Sequence, residues 1–218
     1  MKVVDASYEI LNELDGVSIL KFLEKVGRVC YKSEGQITDD SYTKFVKMLV
    51  ERGHEAMLEH YSFSVRFISN RGFTHELVRH RVASFAQEST RWCNYSQDKF
   101  GGELTFIRPL WTKSEDRQKG SKSKIVTVAG WLKDMESLEM AYLYALRDGL
   151  SPQEARGFLP NDLKAEIVIT ANLREWRHIF KLRTAKNAHP DMRFLMIPLS
   201  QEVKSKIPVV FDDIEVIE

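Results

Sequence analysis

Apolar residues along the chain recur with two periods, and the switches between them outline the elements. From Ser18, the positions Ile19, Phe22, Leu23, Val26 and Cys30 keep helical spacing, which predicts a helix turning all five, Cys30 included, toward the core. Asp39 or Asp40 is placed to cap a second helix with Tyr42, Phe45, Val46 and Leu49 inward and Gly53 just past its end. Residues 61–68 alternate, with Phe63, Val65 and Phe67 on one face, the mark of a strand. Thr74 then reads as the N-cap of a helix that carries Arg79, His80 and Arg81. Leu104–Ile107 predicts a short strand ending at Pro109, and residues 1–8 an edge strand. Val128, Trp131, Leu132, Met135, Leu138, Tyr142 and Ala145 form one stripe of a long helix ending near Gly149. Ser151 caps a short helix before Pro160, a helical stretch covers residues 165–184, and Pro190 opens the last helix. Residues 209–218 alternate weakly, as a strand or an ordered tail would, and the Lys- and Ser-rich residues 112–124 read as a mobile surface loop. No composition shift marks a boundary, so the expectation is a single α+β domain over residues 1–218.

Composition narrows the function classes. A chain of 218 residues with 43% hydrophobic and 29% charged residues has the balance of a soluble globule. A formal net charge of +1 provides no global field for nucleic acid or membranes, so any anion site must be a local cluster. The two cysteines, Cys30 and Cys93, have no metal-ligand spacing and suit a reducing compartment. Charged Lys2 and Asp5 are followed by no apolar targeting segment, and no apolar run reaches membrane-spanning length. The expected location is the cytoplasm.

That local cluster lies at residues 79–91, Arg-His-Arg-Val-Ala-Ser-Phe-Ala-Gln-Glu-Ser-Thr-Arg, near which only Glu76 and Glu88 supply negative charge. Forked guanidinium donors beside short hydroxyl donors match the needs of phosphorylated ligands. On a helix, Arg79, His80 and Arg81 would point about 100° apart, which suits a wedge between two ligands or between a ligand and a partner subunit. The alternative is a solvated helix face with a Glu76–Arg79 pair. Gln87, Glu88, Ser89, Thr90 and Arg91 combine groups for a planar base with a bidentate phosphate contact, against the plainer reading of a polar helix end. Arg183 continues the apolar stripe Leu173, Trp176, Phe180. A guanidinium there is costly unless an anion or acceptor faces it, or unless it snorkels at the helix C-terminus. His54 and His60 lack the spacing of a zinc motif, and no metal site is expected.

Arg79-His80-Arg81 followed by Ser84, Gln87, Ser89 and Arg91 resembles the signature of flavin-dependent thymidylate synthases. The resemblance extends to Gly53-His54-Glu55, Glu59-His60, Pro152 to Arg156, Leu159-Pro160, Asn172 and Leu182-Arg183. It implies a central, mostly antiparallel sheet flanked by helices, a homotetramer, and active sites where subunits meet. The implied reaction converts dUMP to dTMP, with methylenetetrahydrofolate as carbon donor, tightly bound FAD as mediator and NADPH as reductant. By position, Arg79, His80, Arg81, Gln87, Asn172, Arg174 and His178 would hold FAD. Glu76, Arg79, Gln87, Glu88, Ser89, Thr90, Arg91, Arg156 and Arg183 would hold dUMP, the last two from a neighbouring chain, with Arg183 polarising the pyrimidine. Departures from the pattern are Glu76 for a glutamine of some members, Cys30 for a flavin-contacting serine, Asn187 near a usual histidine, and Trp92 for a tyrosine.

Overall fold

A computed structural model describes residues 1–113 and 126–215. The strands are β1 (Lys2–Val4), β2 (Ser7–Ile10), β3 (Ser62–Asn70), β4 (Ala83–Gln87), β5 (Thr105–Ile107) and β6 (Lys164–Asn172). The helices are α1 (Gly16–Tyr31), α2 (Ser41–Glu51), α3 (Arg71–Leu77), α4 (Val128–Arg147), α5 (Pro152–Ala155), α6 (Leu173–Arg183) and α7 (Pro190–Lys206). The fold is α+β, as expected. Its four-stranded sheet has the order β2-β3-β6-β4. Leu11 N donates to Ser64 O while Glu9 pairs with Arg66, so β2 and β3 run antiparallel. Ser64 Oγ meets Thr170 Oγ1 and Leu173 N donates to Tyr61 O, which makes β3 and β6 antiparallel as well. Separately, β1 pairs in parallel with β5. The expected edge strand over residues 1–8 is thus two strands in two sheets.

The chain forms two compact units and passes repeatedly between them. One comprises Met1–Ser7, Phe67–Arg79 and Ala86–Ile167, the other Tyr8–Arg66, His80–Phe85 and Val168–Glu218. In the first, Trp131, Met135 and Tyr142 of α4 pack with Tyr95, Leu104, Phe106 and Leu163. The α4 stripe matches its prediction, with one addition: buried Glu139 accepts from Leu104 N at 2.8 Å. Ser151 caps α5 as expected, in a reciprocal arrangement with Glu154. In the second unit, the Trp176 ring stacks on Phe63 at 4.8 Å and its Nε1 donates to Phe63 O. Phe180 meets Phe211 edge-on.

Several expectations are corrected. Residues 165–184 are not one helix, because Ala165, Ile167, Ile169 and Ala171 are buried at every second position through a β-branched run. β6 therefore extends to Asn172, whose side chain caps α6 by accepting from Glu175 N at 2.8 Å. The helix before the cationic triplet starts at Arg71, capped by Asn70, and stops at Leu77. Thr74 is not its N-cap; the hydroxyl donates back to Arg71 O inside the helix. The triplet lies beyond the helix, residues 83–87 are strand, and Gln87–Arg91 lead from that strand into a turn rather than forming a polar helix end.

In α1 the buried face is Gly16, Ile19, Leu20, Leu23, Glu24, Gly27 and Arg28, while Phe22, Val29 and Cys30 are exposed. Cys30 is not core. A buried Glu24–Arg28 ion pair and a close approach at Gly27 rotate the face, and hydrophobicity alone signals neither. Residues 209–215 are turns rather than strand, and residues 114–124 of the expected loop lie outside the described residues.

Candidate functional site

The predicted site residues fall into two groups, one in each unit. The second unit holds the more tightly built group. His80 is 4% exposed, and both ring nitrogens are engaged. Its Nε2 lies 3.0 Å from Arg183 Nε and its Nδ1 3.2 Å from Glu175 Oε1. Because a guanidinium can only donate, Nε2 must carry the lone pair and Nδ1 the proton. Burial, reinforced by the charges of Arg183 and His178, lowers the His80 pKa from 6.5 to about 4. Burial pushes the Glu175 carboxyl upward, with His178 opposing. Arg183 is half-buried, where the Leu173–Trp176–Phe180 stripe predicted it, and the acceptor such a position requires is His80.

Beside this chain of contacts is a cavity of about 430 Å³ lined by Glu55, Glu59, Asn172, Arg174, His178 and Lys181, among others. Arg174 is held at its edge by Glu59 at 2.6 Å and Glu55 at 3.7 Å. Buried Arg177 also lines the cavity, committed to a bidentate pair with Asp213 and to Glu55. His80, Glu175 and His178 bring one ligand atom each within 4.8 Å of one another, close enough for a cation. Arg183 on the far nitrogen of His80 opposes that use.

The first unit holds Glu76, Arg79, Gln87–Arg91 and Arg156. Gln87 Nε2 donates to Thr74 Oγ1 at 3.0 Å, tying β4 to α3. The Glu88 carboxylate is committed to Lys164 at 2.8 Å, Tyr95 Oη at 2.8 Å and Glu166 N at 3.2 Å. Burial and this carboxylate raise the Tyr95 pKa far above the ordinary phenol range. Ser89 Oγ accepts from Arg91 N, shaping the turn after β4. Thr90 is buried, whereas Arg79, Arg91 and Arg156 are exposed, as is Arg81 of the second unit. Arg91 lies over the Trp92 ring. Among the described residues these four guanidinium groups have no carboxylate partner, unlike Arg28, Arg66, Arg108, Arg174 and Arg177. Arg52, Arg71 and Arg147 share that trait, but Arg52 and Arg147 sit at helix C-terminal ends where the dipole favours a cation, and Arg71 lies against His75 one turn along α3.

Over residues 18–209 the chain matches the family model described as "Thymidylate synthase complementing protein". The chain belongs to the flavin-dependent thymidylate synthase family. Membership makes it a methyltransferase enzyme. It is 30% identical over 194 residues to the flavin-dependent thymidylate synthase of Geobacter sulfurreducens, covering 85% of this chain and 78% of that one. With the Corynebacterium efficiens enzyme of the same name it shares 31% over 203 residues, or 89% and 79% of the two chains. A UMP/dUMP methylase, PolB from Streptomyces cacaoi, solved with 5-Br dUMP bound, superposes with a TM-score of 0.76. That match covers 97% of this chain and 96% of PolB at 19% identity, and so concerns the fold. Sequence reasoning missed Glu175 and Lys181, which line the cavity. The Asn172-x-x-Glu175 spacing of a capping box was the available signal for Glu175.

Proposed function

We propose that the enzyme converts dUMP to dTMP with methylenetetrahydrofolate as carbon donor, FAD as mediator and NADPH as reductant. The residues fit a flavin dinucleotide in two respects. The 430 Å³ cavity is of cofactor-site size and offers Arg174, His178 and Lys181 as cationic donors. Asn172 spends its side-chain oxygen on the α6 cap, so its amide N–H groups can serve a ligand. Arg79 and Arg81 would add phosphate contacts. His80, both of whose nitrogens are used, would act through its main chain and its hold on Arg183. When bound, the flavin supplies the redox chemistry.

The dUMP group comprises Glu76, Arg79, Gln87, Ser89, Thr90, Arg91 and Arg156, with Gln87 also reaching the flavin and the fixed Glu88 anchoring the segment. Arg91 and Arg156 are the phosphate donors of this reading. Arg183, like Arg156 supplied by a second copy of the chain, stabilises negative charge on the pyrimidine and so makes C5 electron-rich without a cysteine nucleophile. Residues 1–218 then act as one catalytic domain in a homotetramer working in the cytoplasm. No described helix is long and apolar enough to cross a membrane.

The observation that carries the reading is the Arg183–His80 contact, which fixes a permanent cation at the end of a buried stripe. Arg183→Ala should keep the flavin absorbance while dTMP formation falls by about 10²–10³-fold, the usual cost of deleting one charge-stabilising donor. Full dTMP formation by that variant would refute the role. Wild-type protein that retains no flavin after reconstitution would refute the reaction.

A further inference from the structure

We propose that Glu175 is a positioning residue for Arg183, acting through His80. The inference rests on the role given above to Arg183 and extends it by two residues. Glu175 occupies the third position of α6 after its Asn172 cap, where a glutamate commonly turns back to the cap's backbone N–H. Here Oε1 instead accepts the Nδ1 proton of His80. Nearly all of Glu175 and His80 is withdrawn from water, at 9% and 4% exposure.

The hydrogen-bond directions form an ordered chain. Arg183 donates Nε–H to His80 Nε2; His80 donates Nδ1–H to Glu175 Oε1. With Glu175 as acceptor, the imidazole is held in the one neutral tautomer that leaves Nε2 free to receive Arg183. Remove the acceptor and a buried ring gains more by turning its proton elsewhere, since an unpartnered buried donor costs more than the bond is worth. The Nε–H of Arg183 would then meet an N–H, and the guanidinium would lose the His80 bond that directs it. Glu175 therefore sets the aim of a charge it never touches.

The groups facing the pair are His178 and Lys181 on α6, Arg183 at its end, Arg174 beside it, and Glu55 and Glu59 from the turn before β3. The charges of Arg183 and His178 favour the neutral His80 that the chain of bonds requires, and Glu175 needs only to present an acceptor oxygen.

The test uses the full-length protein with Glu175→Leu and Glu175→Gln, read by dTMP kinetics, flavin content and ¹⁵N spectra of the His80 ring. Leucine removes the acceptor, so kcat should fall about 10- to 100-fold, in the range seen when a group orienting a functional residue is deleted. KM for dUMP and flavin content should stay near wild type, and the His80 spectrum should lose its Nδ1–H neutral tautomer. Glutamine keeps a carbonyl acceptor and should hold both the tautomer and a kcat within a few-fold of wild type.

Three results would overturn the proposal: an unchanged tautomer and kcat in the leucine variant, a glutamine variant as impaired as the leucine one, or activity lost to EDTA and restored by zinc. If the leucine variant does not fold, loss of the Nδ1–H tautomer in the glutamine variant overturns it. If the wild type forms no dTMP, the proposed reaction has failed, while the ring spectra still decide whether Glu175 sets the tautomer.

Discussion

Replacing Arg177 with methionine should remove a large part of the stability of the second unit. The guanidinium is buried, 3% exposed at its side chain, and bonds to Asp213 at 2.6 and 2.8 Å and to Glu55 at 3.0 Å, with a further short contact to Val210 O. At an effective dielectric near 20, a pair of unit charges about 4 Å apart gains about 4 kcal/mol before desolvation. Asp213 is 46% exposed, so solvent screens its share to about 1 kcal/mol, whereas Glu55, at 25%, is screened less. Deleting one partner of such a network leaves the others uncompensated and costs about 3–5 kcal/mol. Asp213→Asn, which leaves Glu55 and Val210 O in place, should cost only about 1 kcal/mol. Urea unfolding followed by tryptophan fluorescence at fixed protein concentration would report both, because fully buried Trp176 precedes Arg177 in α6. A loss below 1 kcal/mol for Arg177→Met, with an unchanged denaturant slope, would refute the reasoning.

Arg91→Ala and Arg156→Ala should each raise KM for dUMP about tenfold or more with kcat less affected, as steady-state kinetics would show; an unchanged KM would remove that residue from the phosphate site. Gly27→Ala should destabilise by about 1–3 kcal/mol despite its better helix propensity, because the new Cβ would lie 2.6 Å from Phe45 Cε1; a raised Tm would contradict this. Acid should destabilise the fold in two steps. His80 has a pKa lowered to about 4, so between pH 6.5 and 4 the unfolded chain binds a proton that the folded one refuses, and stability falls as pH falls by up to about 3 kcal/mol. Glu175, shifted upward, offsets part of that loss. Asp213, held down by Arg177, contributes stability that disappears only below the ordinary carboxylate range. Unfolding midpoints that stay flat from pH 7 to 4 would exclude the first step, and flat midpoints continuing down to about pH 2 would exclude the second.

Sequence periodicity located α2, α4 and β3 because each buries one face in a simple repeat, and Pro190 marked the start of α7. It failed where small or paired polar residues make the contact, as at Gly27 and Glu24–Arg28. It failed again where Ala-Glu-Ile-Val-Ile-Thr-Ala satisfies both periods over a short span and only the pairing with β3 decides between them. The arginines of the candidate site were legible because unbalanced cations stand out in a chain of net charge +1. Glu175 was not, since a capping glutamate and a buried acceptor have the same spacing. Nor was the commitment of Glu88 to Tyr95 and Lys164, which depends on side chains 7 and 76 positions away.

The asparagines that end β3 and β6 are at once the last strand residue and the cap of the next helix, with no linker between. This sets a rule for how such a gene can vary. A codon inserted in either strand would turn outward the buried face between it and the asparagine and displace the cap, and one inserted in the following helix would rotate the remainder by about 100°. Between Lys164 and Arg183, new chemistry can therefore arise by exchanging residues but not by adding or losing them, and an insertion scan should find this span the least forgiving.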